Sequence, residues 1–297
     1  MRTHFGLASM NPKKYLGPIV LVLLCLSAPA HPMQDPEAGP LILAVHPYLP
    51  QEELMQRFSP LARYLGDRID RKILVRVGRD YEEHETHVGN NQVDIAFMGP
   101  ASYVKMTERH GAKPLLARLE IKGKALFRGA IVTRADSGIA RLAAVKGRRF
   151  AFGDSLSTMS HLVPRYMLLQ AGIGLQDLAY YAYLGSHRNV ALGVLSGDFD
   201  AGAVKEEVYL EHESQGLRVV AWTPALSEHL FVVRDTLPPA TVQELRDALL
   251  ALGDPQTERG RWILSNIKSG VTGMARVQDS DYDNLRLILD TLQEEAR

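Results

Sequence analysis

FAFGDSLSTMSHLVP, residues 150–164, runs a short apolar strand into four closely spaced hydroxyls, Ser155, Ser157, Thr158 and Ser160, where a helix begins. The first amide N–H groups of a helix have no partner inside it, and the aligned peptide dipoles leave about half a positive charge there. An oxyanion docking among hydroxyls and free amides is therefore favoured. One hydroxyl suffices for an N-cap, so four mark a candidate anion seat. The helix behind carries apolar residues at Leu162, Tyr166 and Leu169 and stops at Gly172.

On either side of this stretch, apolar β-branched runs alternate with segments of helical period, the pattern of an α/β fold with largely parallel, buried strands. Strands are expected at 41–45, 73–77, 93–98, 115–121, 126–132, 149–152, 178–184, 200–204 and 217–222. The clearest helix is 51–65, with Leu54, Phe58, Leu61, Ala62 and Leu65 on one face. Helices at 241–252 and 281–296 repeat that spacing. No internal repeat or long linker follows residue 40. Two lobes are expected, 41–128 with 223–297 and 129–222, joined by two crossing strands near 127–131 and 221–224.

The first 30 residues read as a cleavable secretory leader. Arg2, Lys13 and Lys14 precede the apolar run Ile19 to Leu26, and Ala28-Pro29-Ala30 fits a cleavage site. The run is shorter than the roughly 18 apolar residues of a membrane span. Leu24 before Cys25 is bulkier than a lipidation site prefers. Residues 31–40 then form a linker, and the mature chain is expected in an oxidising compartment as a thiol-free monomer with no membrane span. Of 34 basic and 34 acidic side chains, removal of the leader leaves 31 and 34. That balance implies neither nucleic acid nor anionic lipid as a partner.

Five segments in one order resemble a known family: Phe58-Ser59-Pro60-Leu61 with Tyr64-Leu65; 93–100, reading VDIAFMGP, with Tyr103; Ser157-Thr158-x-Ser160 with Pro164; Ser186-His187-x-Asn189; and Gly197-x-Phe199-Asp200-Ala201-Gly202-Ala203-Val204. The chain is similar over about 41–250 to the phosphate/phosphite/phosphonate (PhnD-like) substrate-binding proteins of ABC transporters. The resemblance implies a two-lobed periplasmic binding protein type 2 fold, with mixed, mostly parallel sheets, helices on both faces and two interlobe crossings. It also implies a non-catalytic protein without cofactor or metal that holds a small phosphorus oxyanion between the lobes and delivers it to an ABC permease. In that family the Ser-Thr turn holds the phosphoryl oxygens, a role carried to Ser157, Thr158 and Ser160, while His187 donates to another oxygen and Tyr48 and Tyr103 close from the opposite lobe.

Departures from the family pattern bear on the ligand. Where phosphonate binders often place acids for an alkyl ammonium group, this chain has His187-Arg188-Asn189, Val204-Lys205-Glu206 and Ser227-Glu228-His229. Lys205, if it faces the cleft, favours an anion without an ammonium tail; Glu206 or Glu207 is able to restore a carboxylate. Two other functions compete. The same closure serves a sensor that reports an oxyanion to a membrane receptor. Gly153-Asp154-Ser155-Leu156 is literally a GDSL string, with Ser155 as the esterase nucleophile, but no D-x-x-H element follows to supply a base. His84-Glu85-Thr86-His87 spaces its histidines at i and i+3 rather than the i and i+4 of a metalloprotease helix, which favours a solvated polar face. Trp222 and Trp262 read as packing residues.

Overall fold

The computed structural model describes residues 1–2, 4, 39–253, 257–268 and 270–295, so the apolar run of the expected leader and its cleavage site lie outside the described residues. Among the described residues no helix is long and apolar enough to cross a membrane.

Apolar strands and amphipathic helices alternate from the start: β1 (Leu41–Val45), α1 (Gln51–Arg68), β2 (Ile73–Val77), α2 (Tyr81–Gly89), β3 (Ile95–Met98), α3 (Pro100–His110) and β4 (Leu115–Ile121). The chain continues through β5 (Leu126–Phe127), β6 (Gly129–Arg134), β7 (Arg149–Phe152), α4 (Val163–Gln170), β8 (Tyr180–Tyr183), α5 (His187–Leu195), β9 (Ala201–Lys205), α6 (Glu206–His212) and β10 (Leu217–Trp222). It ends with β11 (Leu226–Ser227), β12 (Leu230–Val233), α7 (Pro239–Ala251), α8 (Glu258–Ile267), β13 (Val271–Ala275) and α9 (Asp283–Glu295).

One sheet orders β13-β4-β12-β3-β1-β2 and a second orders β10-β6-β9-β7-β8, with β11 and β5 pairing between them. Parallel pairing is confined to β1 with β2 and β3, and to β7 with β8 and β9; the other pairs are antiparallel. Inner strands such as β3 and β12 are buried along their length, as strands covered on both faces must be, while the edge strand β8 leaves Tyr180, Tyr181 and Tyr183 exposed. The expected run 126–132 divides at Arg128 into β5 and β6, because the chain changes sheets there. β11, β12 and β13 add strands to those expected; in β13 Gly273 interrupts the apolar run.

The chain passes from the first sheet to the second between Ile121 and Gly129 and returns between Trp222 and Leu230. Apolar clusters cover both faces of each sheet. One cluster bridges the halves: Met159, Leu162 and Val163 pack with Met98, Val104, Leu285 and Leu289. From Gly39 onward the chain forms one compact unit. The tryptophans differ from expectation. Trp262 is 55% exposed, and Trp222 lies at the surface under the Arg128 guanidinium, 3.9 Å from its ring centre.

Candidate functional site

Ligands in open α/β sheets bind beyond the carboxyl ends of parallel strands, and both sheets send such ends to one place. β1 leads into His46 and Tyr48, β3 into Gly99 and α3, β7 into the hydroxyl-rich turn, and β9 ends on Lys205. β12 runs antiparallel to β3, so His229, just before it, arrives at the same end. These residues, with Ser102, Ser157, Thr158 and His187, line a buried cavity of about 20 Å3. That is room for a water-sized body. Two larger hollows lie elsewhere: about 710 Å3 on the outer surface between α1 and β2, and about 610 Å3 beside Gly78, Gly185 and Ser186. Both are open to solvent, and neither gathers buried polar groups from both sheets as the small cavity does.

The turn after β7 is a tight piece of chemistry. Gly153 is needed there because a Cβ would stand 2.4 Å from Ser160 Oγ. Ser157 N-caps the π-helical turn Thr158–Leu162, its Oγ accepting the Ser160 N–H at 3.2 Å, and α4 continues directly. Thr158 Oγ1 accepts the Ala101 N–H at 3.0 Å, joining this turn to the first turn of α3 across the two sheets. Its own O–H remains free to donate.

His187 opens α5, capped by Ser186. Its Nδ1 accepts the Lys205 N–H at 3.0 Å, which leaves the ring proton on Nε2, 3.4 Å from Ser157 Oγ. Burial first, then the Lys205 ammonium, push the His187 pKa well below the usual value, so the ring is a neutral donor. Lys205 is 5% exposed, with Nζ 4.6 Å from the Tyr48 ring centre and 2.8 Å from Glu207 Oε2. Burial pushes the Glu207 carboxyl up, but Lys205 and Lys268 outweigh it and hold it below its usual range. Behind the cavity the fully buried Glu228 accepts from Lys268 Nζ at 2.7 Å and from His229 Nδ1 at 2.7 Å.

Of the residues expected at a site, the structure brings together Tyr48, Ser157, Thr158, His187 and Lys205. Two stand elsewhere. Tyr103 turns away, its O–H donating to Asp279 Oδ1 at 2.7 Å and its ring packing on Tyr282; the N-terminal tilt of helical side chains sends it to the α9 side. Ser160 spends its hydroxyl on the Ala203 carbonyl, pinning the turn to β9. Arg188 is partly exposed and pairs with Glu53 at 3.6 Å, outside the cavity. His84 and Glu85, expected on a solvated face, are each 1% exposed, because α2 packs that face against α3 and β1. Among the described residues no cluster of His, Cys, Asp or Glu is placed to hold a metal ion.

Ser155 is exposed, and His161, which touches its backbone, has both ring nitrogens engaged: Nδ1 to the Ser155 carbonyl at 2.7 Å, Nε2 to the Tyr183 hydroxyl at 3.0 Å. A profile described as ABC transporter, phosphonate, periplasmic substrate-binding protein matches residues 43–282. The chain belongs to this family. The family is a transporter component that binds substrate rather than an enzyme, which removes the esterase reading. The phosphate-import protein PhnD of Mycolicibacterium smegmatis is 24% identical over 84% of this chain and 85% of its own length. The probable phosphite binding protein PhnD1 of an ABC transporter from Prochlorococcus marinus is 27% identical over 54% of this chain and 56% of its own. The structure of the latter with methylphosphonate superposes with a TM-score of 0.77, at 23% identity, covering 85% of this chain and 98% of that one. It shares the two-sheet fold.

Sequence reasoning missed Ser102, His46 and the orientation of His229. Ser102 is fully buried, lines the cavity, and its Oγ has no hydrogen-bond partner. The usable signal was position: His46 directly follows a strand, and Ser102 is the third residue of a helix opened by Gly99-Pro100.

Proposed function

We propose that the cavity between the two sheets holds a small phosphorus oxyanion, which the chain carries to the membrane permease of its transporter. The observation that carries this reading is the convergence of hydroxyl donors from Ser157, Thr158 and Ser102, the Nε2–H of His187 and the Lys205 ammonium on one buried cavity. Three or four hydrogen bonds to a charged group, at about 1.5–3 kcal/mol each, supply about 4.5–12 kcal/mol, a range that brackets the roughly 8 kcal/mol of micromolar binding before ordering and desolvation costs are taken off. The relatives that import phosphate and bind phosphite, and the fold neighbour that holds methylphosphonate, support the same ligand class.

At about 20 Å3 the cavity is drawn too tight here for a tetrahedral anion, so the two walls stand farther apart around bound ligand than in this arrangement. Residues 41–128 with 223–297 therefore act as one lobe and 129–222 as the other, parting about the crossings at β5 and β11 to admit ligand. Arg57 with Glu207, 4.0 Å apart, and Arg188 with Glu53, 3.6 Å apart, supply ion pairs that bring α1 against α6 and α5 on closure. Only the chain after the leader, working as a periplasmic monomer, takes part.

A thermal-shift screen against phosphate, phosphite, methylphosphonate, 2-aminoethylphosphonate and sulfate tests the reading. Phosphate, phosphite or methylphosphonate should raise the melting temperature by several degrees, and 2-aminoethylphosphonate should do less because Lys205 faces its ammonium. If none of the phosphorus oxyanions stabilises the protein, the cavity is not their site.

A further inference from the structure

His46 and His229 form a stacked pair in the wall of the cavity, ring centres 5.2 Å apart and planes at 18°. Each ring has its Nδ1 engaged. His46 Nδ1 lies 3.2 Å from the Phe97 carbonyl, which only accepts, so that nitrogen carries the ring proton. His229 Nδ1 lies 2.7 Å from Glu228 Oε2, a carboxylate kept ionised by Lys268, so it too carries the proton. The two Nε2 atoms are left bare, and they converge: each stands 3.8 Å from where a Cβ on Gly99 would be, at the start of α3. His187 is opposite in sense, since its Nδ1 accepts and its Nε2 donates.

The surroundings keep the pair neutral. Lys205 from β9 and Lys268 beyond α8 face it with positive charge, and His84 from α2 lies tilted against His46, its ring centre 6.1 Å away and its plane at 56°. Tyr48 and Tyr81 close the His46 side, and Phe127 the His229 side. Burial, with repulsion between the rings, pushes His46 well below its usual pKa; burial lowers His229 as well, although Glu228 opposes it. The cavity thus offers hydrogen-bond donors from one sheet and two lone pairs from the other.

We infer that His46 and His229 are specificity-determining residues whose Nε2 atoms accept a hydrogen bond from an acidic hydroxyl of the ligand, so that the site takes an oxyanion still carrying a proton and rejects a fully ionised one. A P–OH supplies that donor, because phosphorus oxyanions lose their second proton near neutrality, at about pH 6 for a phosphate ester. Sulfate and sulfonates have no such proton at neutral pH, and their oxygens meet two lone pairs with nothing between. Leaving buried acceptors unpaired is the interaction by which sites discriminate most strongly. No P–O or P–C bond is made or broken: when the free ligand is the dianion, a buffer acid gives up one proton, which forms the ligand's O–H, and that O–H donates to Nε2.

This inference rests on the cavity being the oxyanion site, and the experiment separates the two. Titration calorimetry with phosphate and with methylphosphonate at pH 8.5, in buffers of different ionisation heat, should show uptake of close to one proton per ligand. Affinity should fall about tenfold per pH unit above the ligand's second ionisation. Sulfate should bind at least 100-fold more weakly than phosphate at pH 7.5. His229→Gln, whose amide is able to donate, should bring the sulfate and phosphate affinities at least tenfold closer and flatten the pH slope. Phosphorus oxyanions binding without proton uptake, or sulfate binding as tightly as phosphate to the unmodified protein, overturns the inference while leaving the proposed function standing. Absence of binding by any phosphorus oxyanion overturns both.

Discussion

The two walls of the cavity differ in chemistry and in origin. The wall from the five-stranded sheet is built from donors and a cation: the Ser157 and Thr158 hydroxyls, His187 Nε2–H and Lys205. The wall from the six-stranded sheet presents the bare Nε2 atoms of His46 and His229 beside the buried hydroxyl of Ser102. Donors attract any small oxyanion; acceptors sort among them. On the proposed site, affinity and selectivity reside on opposite sides of one closure, and each is open to mutation separately.

The largest expected effect removes the charge from the donor wall. A cation about 4 Å from an anion, at the effective dielectric of a partly buried site, is worth about 4 kcal/mol, so Lys205→Met should weaken phosphate binding about a thousandfold. The same change takes from the Glu207 carboxylate, its side chain only 12% exposed, its nearest cation and leaves it Arg57 at 4.0 Å and the more distant Lys268. Unfolding free energy should drop by about 3 kcal/mol. Adding Glu207→Gln should restore the stability and only part of the affinity. If the double variant binds phosphate as the parent does, Lys205 serves only to neutralise Glu207, and the donor wall is uncharged in effect.

Next comes the turn itself. Ser157→Ala with Thr158→Ala removes two donors to a charged group, about 1.5–3 kcal/mol each, and should cost at least 100-fold in affinity by calorimetry. Stability should fall too, by about 1 kcal/mol for the lost cap at Ser157. Thr158 also accepts Ala101 N–H across the sheets, so the double variant should open more readily in solution scattering. Unchanged affinity would place the ligand away from this turn.

The donor wall was legible because its chemistry is local. Strand, glycine, hydroxyls and helix follow one another within 150–164, and the excess of hydroxyls over what one cap needs marks the turn. The division of labour among them was not: Ser157 caps, Thr158 reaches α3, and Ser160 bonds Ala203 through contacts 43 residues away. The acceptor wall left no comparable trace. His46, Ser102 and His229 come from three separate elements, and each alone reads as an ordinary core residue; only the sheet order β12-β3-β1 makes them neighbours. Tyr103 shows the converse error. The strand and turn ending at Gly99-Pro100 were read with Tyr103 following into the site, but a helix starts there whose phase puts Ser102 in the cavity and Tyr103 against Asp279. Likewise β12, four apolar residues bounded by His229 and Arg234, is short, and its membership of the first sheet follows from pairing with β3 and β4 rather than from its own composition.

The smallest effect is expected at Ser102, and it distinguishes a binding hydroxyl from a structural one by the sign of two changes. A buried hydroxyl without a partner is destabilising, because its hydration is lost and nothing replaces it. Ser102→Ala should therefore leave the unliganded protein as stable as the parent or raise its melting temperature. Phosphate affinity should fall about tenfold, one hydrogen bond to a charged group. A structural serine gives the opposite pattern, lower stability with binding intact. Because Ser102 sits on α3 beside the Nε2 atoms of the histidine pair, its loss should weaken phosphate and sulfate alike, leaving their ratio unchanged. A changed ratio would mean that this hydroxyl, and not the rings alone, takes part in sorting anions.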